Sequence, residues 1–141
     1  MTQKAKDIMT KNPKSCYETA FIYDAVKVMA DQNCGVVPIT DTSDRCIGIV
    51  TDRDICLDVV LNRIDPQTTQ LFQVMSHNVL TCHPDDSLHD VIMKMEKKKV
   101  RRAPVVDNKG QCIGIISEAD IALKDKNRKE VAEMVGAISR K

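Results

Sequence analysis

The sequence predicts a mixed α/β (α+β) fold: tandem β-α-β-β-α units packed about a pseudo-two-fold axis. Three observations carry that expectation. An ungapped shift of 66 residues, the distance from Gly48 to Gly114, superimposes residues 7–55 on 73–121. Within each copy, apolar residues at helical spacing give way to two short β-rich runs joined by a turn. A chain of 141 residues suits two small units better than two independent domains, because a copy of this size alone is marginal.

The elements follow in order. "KSCY" and "VLTC" are short strand candidates. "FIYDAVKVMADQN" and "SLHDVIMKMEKKK" place Ile22, Ala25, Val26 and Met29, and Leu88, Val91, Ile92 and Met95, on one helical face. "VVPITD-TSDR-CIGIV" and "APVVD-NKGQ-CIGII" read as hairpins, with Asp, Ser, Asn and Gly at the turns. A second helix follows in "DRDICLDVVLN" and "EADIALKD". The boundaries expected are 5–62 for the first copy, 63–70 for a linker broken at Asp65-Pro66, and 71–124 for the second copy. Residues 125–141 read as a further helix with a stripe of Val131, Met134, Val135 and Ile138.

Composition excludes more than it selects. The apolar fraction is 43%, the charged fraction 29% and the net charge +1. That balance gives no global pull toward nucleic acid or an anionic membrane. No apolar leader opens the chain and no run approaches the ~20 apolar residues of a membrane helix, so the expectation is a cytoplasmic protein. The six cysteines form no CxxC pair and read as reduced thiols, with Cys46 and Cys112 on buried strand faces. The chain has no P-loop, GxGxxG or HExxH, so no enzyme is expected. His77, Cys82, His83 and His89 match no standard zinc spacing. "KMEKKKVRR" is short and lacks interleaved aromatics; Lys97, Lys98 and Lys99 read as the solvated end of a helix. A metal- or nucleic-acid-binding scaffold acting through protein partners is the alternative to the reading below.

The stretches "GIVTDRDI" and "GIISEADI" recur in register. Thr51 or Ser117 can cap the following helix, with Asp54 or Asp120 reaching back. The same atoms suit a nucleotide. Free N–H groups and a hydroxyl at a helix start favour phosphate, and a carboxylate one turn in can accept the two hydrogen bonds of a ribose. Gly48 and Gly114 would let a ligand approach the strand backbone. With two Phe, two Tyr and no Trp, aliphatic walls rather than aromatic stacking must hold a base. Tyr17 and His83 occupy equivalent positions that could border it.

Each copy resembles a cystathionine β-synthase (CBS) domain, and residues 5–123 resemble a stand-alone CBS pair, or Bateman module. The resemblance is carried by "GVVPITD…CIGIVTDRDI" and "VRRAPVVD…CIGIISEADI", with "DIMTKNP" and "QVMSHNV" ahead of each first strand. It implies a non-catalytic regulatory module that binds adenosine compounds (AMP, ADP, ATP, NAD or S-adenosylmethionine) in clefts between the copies and signals energy or metabolic state by conformational change. It implies one site from Ser117 and Asp120 with Thr10, Cys16, Val36, Val37 and Pro38. The other would use Thr51 and Asp54 with Ser76, Cys82, Arg102, Ala103 and Pro104. Arg101 and Arg102 stand where the γ subunit of AMP-activated protein kinase uses basic residues to reach ligand phosphates, and Arg suits bidentate pairing there. The resemblance also implies a homodimer and an effector protein that the sequence does not name.

Overall fold

The computed structural model describes residues 3–77 and 79–124. The predicted helix at 125–141 lies outside the described residues. In chain order the elements are α1 (Ala5–Ile8), β1 (Thr10–Lys11), β2 (Cys16–Tyr17), α2 (Ile22–Gln32), β3 (Val36–Thr40), β4 (Cys46–Thr51) and α3 (Asp52–Asn62). After a 3-10 turn at Leu71–Gln73 come α4 (Leu88–Lys98), β5 (Arg102–Val106), β6 (Cys112–Ser117) and α5 (Glu118–Lys124). The mixed α+β class and the duplicated order agree with the sequence.

Two compact units result. Among the described residues, one spans Pro13–Val79; the other joins those through Asn12 to those from Leu80 to Lys124. They are called here the Thr51 unit and the Ser117 unit. The Thr51 unit holds a sheet in the order β2-β3-β4, with β2 parallel to β3 and β3 antiparallel to β4. The Ser117 unit holds β1-β6-β5, antiparallel throughout.

These units are offset from the sequence copies. Thr10 pairs with Ile115 on β6, so the segment ahead of the first strand of copy one joins the sheet of copy two. The reciprocal exchange occurs in the Thr51 unit, where the Ser76 N–H donates to the Ile49 carbonyl at 3.0 Å. The 63–70 segment packs against the start of α2, where the Ile22 N–H donates to the Thr69 carbonyl at 3.0 Å. The Leu88 N–H makes the matching bond to the Gln3 carbonyl at 2.9 Å.

Helix α4 buries Leu88, Val91, Ile92 and Met95, as its spacing predicts. Its Ser87 hydroxyl accepts the Asp90 N–H at 3.1 Å. Helix α2 buries Ile22, Ala25 and Met29, but Val26 stays 41% exposed, so its buried stripe is narrower than expected. Phe21 offers no capping oxygen; Asp24 accepts the Phe21 N–H instead, at 2.9 Å. Both helices stop at a left-handed residue, Asn33 and Lys99. Lys97, Lys98 and Lys99 are exposed at the α4 C-terminus, where cations are favoured. The hairpins are tied alike: Asp41 Oδ1 accepts the Ser43 and Arg45 N–H groups, and Asp107 Oδ1 those of Lys109 and Gln111.

The first strands are shorter than expected. "KSCY" keeps only Cys16–Tyr17, and "VLTC" keeps a single bridge from Cys82 to Val105. Asp86 takes the His83 N–H at 2.9 Å and turns the chain there, so the ladder cannot extend.

The two glycines also depart from expectation. What approaches them is the protein's own chain. A Cβ on Gly48 would sit 2.5 Å from the Ser76 carbonyl oxygen, and one on Gly114 would overlap the Met9 side chain. Glycine there admits the exchanged segment, so it gives no evidence for a ligand against the strand.

Candidate functional site

The two turns "TDRD" and "SEAD" open α3 and α5 from the ends of β4 and β6. In the Thr51 unit the Thr51 hydroxyl accepts the Asp54 N–H at 3.2 Å. The Asp54 carboxylate makes no return bond to the Thr51 N–H. In the Ser117 unit the cap is reciprocal. The Ser117 hydroxyl accepts the Asp120 N–H at 3.1 Å, and the Asp120 carboxylate accepts the Ser117 N–H at 3.1 Å. The Thr10 hydroxyl adds itself at 3.3 and 3.4 Å from the two Asp120 oxygens. Thr51, Asp54, Ser117 and Asp120 are all half-buried, so their polar atoms stay within reach of solvent.

The strand that faces each turn is held in the same way in both units. The Asp52 N–H donates to the Gly35 carbonyl at 3.0 Å, and the Glu118 N–H to the Arg101 carbonyl at 2.9 Å. Register places Val36 opposite Thr51 and Arg102 opposite Ser117. Directly opposed residues share a sheet face, so Arg102 starts beside the Ser117 hydroxyl. Arg101 Nε lies 3.8 Å from Glu118 Oε2.

The predicted site residues therefore sort as follows. Thr10, Ser117 and Asp120 come together in the Ser117 unit, which also holds Cys82, Arg101, Arg102, Ala103 and Pro104. Thr51, Asp54 and Ser76 belong to the Thr51 unit with Cys16, Val36, Val37 and Pro38. Val37 and Ala103 are fully buried and Cys82 is 2% exposed; all three are core residues that support the strands. The Cys82 thiol donates to the Pro104 carbonyl at 3.7 Å, and burial, reinforced by Asp86, pushes its pKa up to about 12. Pro38 and Pro104 are buried too.

Tyr17 and His83 face their own hairpins. The Tyr17 hydroxyl donates to Asp44 at 3.1 Å, and that bond raises the phenol pKa. His83 Nδ1 lies 3.2 Å from the Val106 carbonyl, and His77 Nε2 lies 3.3 Å from that of Phe72. A carbonyl only accepts, so both rings donate there. Among the described residues no group of three or more His, Cys, Asp or Glu is placed to hold a metal ion.

Sequence reading missed Asp52 and Glu118. Each opens its helix beside residue 35 or 101. A Cβ on Gly35 would lie 2.9 Å from Asp52 Oδ2. The hairpin register contained that signal, because pairing residue 36 with 51 puts 35 next to 52.

This duplicated α+β architecture, with a hydroxyl-and-carboxylate turn repeated in each unit, is that of a tandem domain pair. The chain belongs to the CBS domain family: the family model matches residues 5–60 and 71–126. A solved CBS domain pair of protein MJ0100, in complex with 5′-methylthioadenosine and S-adenosyl-L-methionine, is 29% identical. Its TM-score is 0.78, over 87% of this chain and 95% of that one. Hypoxic Response Protein I, solved with two coordinated zinc ions, is 30% identical. Its TM-score is 0.76, over 86% of this chain and 98% of that one. L-aspartate semialdehyde sulfurtransferase of Methanocaldococcus jannaschii is 31% identical over 117 residues, 83% of this chain. The match covers only 22% of that protein's length.

Proposed function

We propose that this chain is a non-catalytic regulatory module that binds adenosine-containing ligands at its Thr51–Asp54 and Ser117–Asp120 turns. The observation that carries the reading is the recurrence of one turn in both units. Each time, a hydroxyl and a carboxylate sit three residues apart at a helix start, half-buried, with a strand terminus alongside. The carboxylate accepts the ribose hydroxyls; the turn hydroxyl and free N–H groups favour a phosphate or other polar substituent. The ligand class spans AMP, ADP, ATP, NAD and S-adenosylmethionine. The MJ0100 pair, with two adenosine compounds bound, supports that class.

The module acts in the cytoplasm through a partner protein, and ligand binding shifts its conformation by preferring one arrangement. It works as a homodimer. Leu57, Val60 and Leu61 on α3 are 44%, 66% and 72% exposed, an apolar run suited to a second copy. Isothermal titration of nucleotide-stripped protein with the five ligands tests the reading. Binding of at least one at micromolar or tighter affinity is expected; no heat with any of them refutes it. Metal analysis of untagged protein tests the zinc alternative raised by the Hypoxic Response Protein I structure.

A further inference from the structure

We infer that the Thr10 hydroxyl is a built-in competitor for the Asp120 carboxylate: it stands where a ribose diol must approach, so the Ser117–Asp120 turn is guarded and the Thr51–Asp54 turn is open. The inference rests on the adenosine-site reading above and sets how readily each turn accepts a ribose.

Thr10 Oγ1 lies 3.3 Å from Asp120 Oδ1 and 3.4 Å from Oδ2. An atom so nearly equidistant from both oxygens lies close to the plane that bisects the carboxylate. A vicinal diol uses the same approach, because it sets one hydroxyl on each oxygen. An ionised carboxylate only accepts, so Thr10 shares its single proton between the two. Asp120 Oδ2 also holds the Ser117 N–H at 3.1 Å. A ribose must therefore displace Thr10, while the cap can stay. Both Thr10 distances exceed the about 2.7–2.8 Å usual for an O–H···O bond. Thr10 is also exposed, so its displaced hydroxyl can turn to water. The guard is weak enough to yield to a ligand, yet it lowers that ligand's affinity.

The other turn has the same frame without the guard. Ser76 takes the place of Thr10, bridging Ile49 as Thr10 pairs with Ile115. Among the described residues no donor reaches the Asp54 carboxylate, although Asp54 is half-buried like Asp120. The extra methyl of Thr10 narrows its choice of χ1; Ser76 lacks that constraint. The two turns thus match in backbone and differ in whether their carboxylate already holds a hydroxyl.

The test isolates the Ser117 turn in the Asp54→Ala chain and titrates it with AMP and with 2′,3′-dideoxy-AMP, before and after Thr10→Val. Removing the hydroxyl should raise AMP affinity roughly two- to tenfold, the worth of one hydrogen bond. The gain should be confined to AMP, since the dideoxy compound has no diol to compete. Thermal unfolding of the same samples should fall slightly, because β1 loses its tie to α5. A purely structural role would lower binding and stability together. Thr10→Ala repeats the measurement without the branched side chain. Unchanged or weaker AMP binding in both variants, or an equal gain by the two ligands, overturns the inference while leaving the adenosine reading intact. No AMP binding by the native chain or by any variant overturns both.

Discussion

Ser117 and Asp120 cap each other through two hydrogen bonds of 3.1 Å, whereas Thr51 and Asp54 share a single bond of 3.2 Å. The Asp120 carboxylate also receives the Thr10 hydroxyl, so it ties β1 to α5. Asp120→Ala should therefore cost more stability than Asp54→Ala. The first loses a carboxylate-side cap, worth about 0.5–2 kcal/mol; the second keeps its Thr51 cap and should fall within about 0.5 kcal/mol of the parent. Urea unfolding of both variants measures the difference, and equal losses would contradict the asymmetry.

The same substitutions separate a cap from a ligand site. Each should remove binding at one site by roughly 3 kcal/mol or more, if two hydrogen bonds to a charged group go with it. Titration of the single variants should show one remaining site in each. A variant that loses stability yet retains both sites would make its aspartate a cap alone.

Gly48 and Gly114 should respond differently to alanine. The added methyl on Gly48 meets the Ser76 backbone carbonyl, which β-bridge hydrogen bonds to Ile49 hold in place. On Gly114 it meets Met9, a side chain that can move. Gly48→Ala should cost about 1–3 kcal/mol, and Gly114→Ala distinctly less. Denaturant midpoints of the two variants check the order; a reversed order would show that the Met9 side chain is the more rigid neighbour.

Cys82 gives the chain an alkaline sensitivity. Burial, then Asp86, raises its thiol from 9.0 to about 12. Below the unfolded value both states keep the proton and the fold has its full stability. As pH rises above 9.0, only the unfolded chain releases the proton, so stability falls until about 12. Cys16, also raised by burial and by Asp24, acts in the same direction. Unfolding measured at pH about 8 and about 10.5 should show a loss that Cys82→Ala reduces. An unchanged loss in that variant would place the titrating group elsewhere.

Much of this was legible in the residues. The repeat offset predicted the duplicated architecture, and the heptad-like spacing of Leu88, Val91, Ile92 and Met95 predicted the buried face of α4. The [ST]-x-x-Asp pattern located both helix entries. The exchange of leading segments was not legible, because two residues of antiparallel pairing at Thr10–Lys11 have no periodicity of their own. Gly48 and Gly114 marked that crossing correctly as a close approach, but a glycine does not say what approaches. Asp52 escaped notice because its effect depends on Gly35, a neighbour across the hairpin rather than along the chain.

The most direct test of the central claim is calorimetric titration of the native chain and of Asp54→Ala, Asp120→Ala with AMP, S-adenosylmethionine and NAD, with thermal unfolding run on the same samples. The account predicts binding by the native chain and its loss in a double variant that still unfolds cooperatively. Undiminished binding in that folded variant would contradict it, leaving the two turns as helix caps.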